Sequence, residues 1–385
     1  MLKNKIIKKI KYRDKRTRIE VIILFICIVA MMGAIFMDVN NISILANKKN
    51  GNLTTDDEHI NLSFAGDVML SRYVTSTFKK QGVKYFFDDV DEIMRDSDWF
   101  MVNLENSVIK TQGSIYTTDK NKIQLTISED EMNELASSEI DMYGLANNHI
   151  GDSGYKGVID TLEIFENNQI KSVGLYESSD DESNLYRIEE FDGVRVAFVA
   201  VTDVLEVSSF RPIIQDNAVG VINTRVQKRL FEDVMESATQ NSDLVIVSVH
   251  WGDEYSNTVS KRQEELTEIM VENGANLIVG HHPHVLQPVT IHNGVLVINS
   301  LGNFVFDQVQ GITQLSTIAT VNVSYDKTID SVEFTPILIK NTRPTLTKSK
   351  NNIKKINSIL SGKLNKNIYK VDEDNHLIID LRGKQ

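Results

Sequence analysis

Disulfide scaffolds are excluded at the outset, because the 385 residues include one cysteine, Cys27. The chain also lacks a glycine-rich phosphate loop and any internal repeat. Positive charge is scarce after the first twenty residues. Those twenty carry nine Lys/Arg against Asp14 and Glu20, a net of +7, so the rest of a chain of net −12 carries −19. An acidic body argues against nucleic acid as a partner and disfavours broad contact with any polyanion. An anionic ligand would need a metal or a local basic group to hold it.

Long hydrophobic runs are also few. The exception is Val21–Met37, seventeen residues without a charge. Seventeen is the short end for a membrane-spanning helix. The basic cluster before it predicts a cytoplasmic tail (1–20), a transmembrane anchor (21–37) and an outer body. A cleaved signal peptide is the competing reading, but Ile44-Leu45-Ala46 is a poor cleavage site. Ile26 does not suit a lipoprotein box, so Cys27 reads as apolar filler. Residues 38–58 are rich in Asn, Lys and Thr and read as a stalk. The expected localisation is the cell membrane, single-pass, with the main domain extracellular.

From Ile60 onward, apolar runs of strand length alternate with helical patterns, which predicts an α/β domain over 59–345. Val194–Val201 and Leu244–Val249 are near-continuous apolar runs, as strands buried on both faces should be. Helix faces are expected around Val158, Leu162 and Phe165, around Leu230, Phe231 and Val234, and around Leu266, Ile269 and Met270, the last stopping at Gly274. Ser316–Val323 and Ser331–Leu338 read as an antiparallel hairpin. Lys348–Asn367 reads as a surface helix in a C-terminal extension (346–385) that packs on the domain.

Several of the apolar runs end in a polar side chain. Asp67 follows NLSFAG, Glu105 follows WFMVNL, and Asn148-His149 follows MYGLAN. His250 follows LVIVSV, His282 and His284 follow NLIVGH, and Asn303 follows VLVINSLG. Ligands in open α/β sheets bind beyond the carboxyl ends of strands, so one sheet edge would collect all these groups. Each has an ordinary alternative when taken singly. Asp67 suits a helix cap, Asn148-His149 and Asn303 suit turns, and a lone His250 suits a hydrogen-bonded core position. The segment Gly280-His281-His282-Pro283-His284 is the most specific local signal. In an extended segment His282 and His284 point the same way and His281 points opposite. A His-x-His pair of that kind chelates zinc, manganese or iron.

The segments FAGDVMLSRYV (64–74), NLENSV (103–108), LANNHIGDSGYKGVIDTL (145–162), VHWGDEY (249–255), VGHHPHVLQPV (279–289) and SLGNFVFDQ (300–308) together resemble the CapA/PgsA family of poly-γ-glutamate capsule synthesis proteins. The outer domain of that family is related to calcineurin-like metallophosphoesterases. The resemblance implies a four-layer α/β/β/α sandwich and a divalent metal site. It matches Asp67, Asn148, His149, His250, His282 and His284 to metallophosphoesterase positions, with Glu105 near a second acidic one. Met69 stands where the first motif has a histidine, which weakens one of two metal positions and makes a single ion an open alternative.

The resemblance also implies work beside membrane-embedded poly-γ-glutamate synthase subunits, with the polymer as partner. Arg72 is expected to act as a carboxylate clamp, and His149, with Asn148 orienting, as an acid toward a leaving group. Three readings stay open: a capsule-assembly component, a metal-dependent hydrolase of a phosphoester or γ-glutamyl amide, and a scaffold with a vestigial site.

Overall fold

A computed structural model of the chain describes residues 59–110, 124–177, 185–204, 219–308 and 310–382. The expected tail, anchor and stalk lie outside the described residues. Among the described residues, no helix is long and apolar enough to cross a membrane.

In chain order the strands are β1 His59–Val68, β2 Trp99–Leu104, β3 Ser107–Ile109, β4 Thr126–Ser128, β5 Met142–Gly144, β6 Ser172–Val173, β7 Arg187–Phe191, β8 Val194–Thr202, β9 Leu244–His250, β10 Leu277–His281, β11 Val289–His292, β12 Val295–Ile298, β13 Asn303–Val305, β14 Leu315–Ser324, β15 Ile329–Lys340, β16 Arg343–Leu346, β17 Tyr369–Val371 and β18 Leu377–Asp380. The larger sheet has the order β17-β18-β15-β14-β1-β2-β5-β6, with β13 beside β1 and β16 beside β15. The second sheet has the order β11-β12-β10-β9-β8-β7. The fold is therefore mixed α/β.

Side-chain alternation divides the core. On β8, Val194, Val196, Phe198 and Ala200 join a cluster that also holds Phe64 of β1 and Met101 of β2. The intervening Ala197, Val199 and Val201 join a second cluster with Phe231, Val234 and Met235 of the helix Lys228–Asn241. β9 divides in the same way, Leu244 and Ile246 against Val245, Val247 and Val249. A strand has period two, so a strand buried on both faces needs an unbroken apolar run. One face of the second sheet thus shares a core with the first sheet, and its other face is covered by helices.

The helices begin where side chains can satisfy their first amides. Ser260 caps the helix Lys261–Glu272 and exchanges hydrogen bonds with Gln263 in a capping box. That helix stops as expected, with Gly274 at φ 93°. The hairpin expected after residue 312 is β14 against β15, in register Leu315 opposite Leu338. The helix Lys350–Leu360 is more than a surface element, because Ile356 and Leu360 are buried in the larger core cluster. β18 then pairs antiparallel with β15, so the C-terminal segment supplies strands to the sheet.

Candidate metal centre

β1, β2 and β5 are mutually parallel in the first sheet. β8, β9, β10 and β12 are parallel in the second. Their carboxyl ends deliver the site. Asp67 is the penultimate residue of β1, Glu105 follows β2, and His250 and His281 end β9 and β10. Register places Asp67 opposite both Asn103 and Asn303. Close backbone approach holds the strand ends together. A Cβ on Gly280 would lie 2.1 Å from the Asn299 carbonyl oxygen, so only glycine fits there.

Asp67 is buried and accepts a 2.8 Å hydrogen bond from Asn103 Nδ2. His281 Nδ1 and His284 Nδ1 each lie 3.4 Å from its carboxylate. Burial alone would raise the pKa of Asp67, but hydrogen bonding and charge from these two histidines hold it well below the usual carboxylate range. His282 Nδ1 lies 3.1 Å from His250 Nε2, which also contacts Asn148 Oδ1 at 2.8 Å. His284 Nδ1 lies 2.9 Å from Asn303 Oδ1.

Glu105 is the centre of the arrangement. Its Oε1 lies 3.7 Å from His149 Nε2, 3.8 Å from His250 Nε2 and 3.7 Å from His284 Nε2. It is fully buried, yet neither oxygen has a hydrogen-bond partner, and His250 Nδ1 has none either. Desolvation pushes the Glu105 carboxyl up to about 7. Desolvation also drives His250 well below its ordinary value and His282 to about 3, so both imidazoles are neutral. His284 goes the other way, to about 9, because Glu105 and Asp67 outweigh its burial.

A buried carboxylate without donors is costly unless a cation serves it. Two sets of ligand atoms meet that need, each lying within 4.8 Å of one another: Glu105, His250 and His282, and Asp67, Glu105 and His284. Glu105 belongs to both. A third set, Glu254, His282 and His284, reaches the exposed rim. The residues present therefore fit a divalent metal. Oxygen and imidazole nitrogen together suit manganese, zinc or iron.

The expectation that His281 points away from the site is corrected by the backbone. β10 ends at His281, and the chain then leaves the extended conformation, with His282 at φ 95° and His284 at φ 55°. Period-two alternation fails there: His281 and His284 both turn Nδ1 to Asp67, while the His282 ring meets His250. Such strained non-glycine residues concentrate at functional sites.

Met69 is fully buried in the core, its Sδ 3.1 Å from the Ser71 amide. Arg72 pairs with Asp307 through two nitrogens, and its guanidinium lies 5.4 Å from the Phe306 ring centre. Phe306 in turn packs on His284 at 4.7 Å. Arg72 is thus held by an internal carboxylate at the rim. His149 is 15% exposed and leans on Asp152, 2.8 Å from Nδ1. Burial would lower its pKa, but the Asp152 hydrogen bond and the Glu105 charge raise it.

Four contributors escaped the strand-end reading: His281, Asn103, Asp152 and Glu254. Asn103 interrupts an apolar run two residues before Glu105, and Asp152 stands three residues after His149. Those spacings are the signals that would have found them.

Fold and site define an α/β protein with a buried carboxylate–imidazole centre of metal-binding type. Residues 61–308 match the family described as "Bacterial capsule synthesis protein PGA_cap". The chain belongs to that family. It is 31% identical over 381 residues, 98% of this chain and 95% of the relative, to "PGA biosynthesis protein CapA" of Bacillus subtilis (strain 168). It is 34% identical over 253 residues, 66% of this chain and 61% of the relative, to "Capsule biosynthesis protein CapA" of Bacillus anthracis. Among solved structures, a phosphatase from Mycoplasma pneumoniae aligns over 77% of this chain and 96% of that one, at 13% identity and a TM-score of 0.44. That likeness is too loose to carry residues across.

Proposed function

We propose that this chain is a membrane-anchored, extracellular component of poly-γ-glutamate synthesis or export, handling the polymer at the outer membrane face through a metal centre. Family membership and the names of its relatives support the process. The basic tail and the apolar run at 21–37 support the topology. Its partners are then the membrane-embedded synthase subunits and the polymer. The domain is of the metallophosphoesterase-type α/β/β/α design.

The single observation that carries the metal reading is Glu105, buried with two unpartnered oxygens among three imidazoles. Asp67, Glu105, His250, His282 and His284 would hold the ion, with Asn148 orienting His250 and Asn303 orienting His284. One ion or two fits, since Glu105 is common to both sets. When bound, a divalent metal supplies Lewis acidity toward a carbonyl or phosphoryl oxygen and makes water more acidic. Cells expressing His282→Ala/His284→Ala should lose surface polymer while retaining the protein in the membrane. Normal capsule in those cells rejects the reading.

A second reading, hydrolysis or transfer at a γ-glutamyl or phosphoester bond, rests on His149. It is partly exposed, oriented by Asp152 and raised in basicity by that partner and by Glu105, which suits it to carry a proton to a leaving group. His149→Ala should then abolish turnover of a γ-glutamyl or phosphodiester substrate by the full chain. Wild-type protein that turns over neither substrate rejects this second reading and leaves a binding role.

A further inference from the structure

We propose that Arg225 and Arg262 form a subsite for the carboxylates of an anionic polymer, one strand away from the metal-type centre. The proposal deepens the polymer-handling reading above and rests on it.

Both arginines converge on Asp203, which is buried just beyond the end of β8. Arg262 Nη2 lies 2.7 Å from Asp203 Oδ1, and its Nε lies 3.1 Å from Oδ2. Arg225 Nη2 lies 2.9 Å from Oδ2, and its Nε donates to the Asp203 carbonyl oxygen. Thr224 donates to Oδ1 at 2.6 Å. Among the described residues, one buried carboxylate therefore faces two guanidinium charges. Glu265 also acts on Arg262 and pairs with Lys261 at 3.5 Å. Arg225 is 47% exposed and Arg262 33% exposed. A guanidinium has five N–H donors, so each keeps donors beyond those spent on Asp203. Asp203 fixes the two forks in place, which reduces the entropy that a ligand must overcome.

The position ties this pair to the centre. Asp203 N donates to the His250 carbonyl oxygen at 2.9 Å, and Thr202 is the register partner of His250. Adjacent strands lie about 4.8 Å apart. A γ-linked glutamate unit has five backbone atoms and an extended length of roughly 6 Å from standard bond lengths. It carries one free carboxylate per unit. A chain passing from the His250 edge over the end of β8 would present successive carboxylates along the path toward Arg225 and Arg262. Guanidinium meets carboxylate bidentately. In a body carrying −19 beyond its first twenty residues, such a local cationic point is what lets a polyanion approach.

The test is binding of fluorescent γ-glutamate oligomers to the full chain in detergent, with inorganic polyphosphate as a second probe. Arg225→Gln/Arg262→Gln should weaken γ-glutamate binding about tenfold or more, the loss expected for charge-assisted hydrogen bonds. Arg225→Gln alone, at the more exposed site, should show part of the effect, with the melting temperature read alongside. Arg225→Lys keeps the charge without the planar fork, so it should bind better than Arg225→Gln; equal affinity of these two variants overturns the proposal. Wild-type affinity in both glutamine variants also overturns it, as does loss of polyphosphate binding alone. If wild-type protein binds no oligomer, the polymer-handling reading falls as well. If only His282→Ala/His284→Ala abolishes binding, that reading stands and this inference fails.

Discussion

Replacing Glu105 by glutamine should stabilise the metal-free protein while destroying its response to metal. Glutamine keeps the shape and removes the charge. Burial raises the Glu105 carboxyl from 4.5 to about 7. At about 1.4 kcal/mol per pH unit, that difference makes the ionised form cost about 3 kcal/mol. The sign follows from linkage. Between these two values the folded state binds the extra proton, so stability falls as pH rises and the full cost is present above pH 7. Glutamine carries no such cost, though its amide still has to find partners, at about 1–3 kcal/mol if it fails. The net gain expected at pH 8 is then about 0–2 kcal/mol, a rise of up to roughly 8 °C in melting temperature. Metal works in the opposite sense. At a hundredfold excess over its dissociation constant it stabilises wild-type protein by about 2.7 kcal/mol, and the variant should gain little of this. The assay is thermal unfolding of the full chain at pH 8, chelator-treated and then with added Mn²⁺ or Zn²⁺. A variant that melts below the wild type without metal, or gains as much from metal, refutes the reasoning.

Gly280→Ala should prevent folding or lower stability by more than about 3 kcal/mol, because its Cβ would meet the Asn299 carbonyl oxygen at 2.1 Å; urea unfolding reads the loss. Phe198→Ala removes a fully buried ring that stacks on Trp99 at 5.8 Å between the sheets and should cost about 3–5 kcal/mol in the same assay. His376 hydrogen-bonds Glu333 at 2.5 Å, which raises its pKa. Its contribution is therefore complete below the ordinary histidine value and disappears as pH rises through the raised one. Melting temperatures of wild type and His376→Asn should differ more at pH 6 than at pH 9, and an equal difference at both contradicts the assignment.

The strand-end pattern located most of the centre because parallel strands share a carboxyl edge. Asp67, Glu105 and His250 each sit where an apolar run stops, and that edge is where side chains stop serving a core. The division of β8 between two cores was also legible, since only a strand covered on both faces is apolar at every position. His281 was not legible. It shares the site with His284 because the backbone turns left-handed at His282 and His284, and strain of that kind leaves no composition signal. Asp152 was missed for a similar reason, because it acts through a turn rather than a strand. The C-terminal strands were missed because β17 and β18 are only three and four residues long, and gain their place by pairing, β18 with β15 and β17 with β18. The Arg225–Asp203–Arg262 cluster joins residues far apart in the chain, which no local pattern announces.

The central claim is that the cluster around Glu105 is a metal centre. Elemental analysis of the purified full chain, after growth in manganese-, zinc- and iron-supplemented medium, tests it most directly. Wild-type protein should carry one or two divalent ions per chain, and His282→Ala/His284→Ala and Glu105→Gln should carry close to none. A wild-type chain without transition metal, or variants that retain the wild-type amount, would contradict the account.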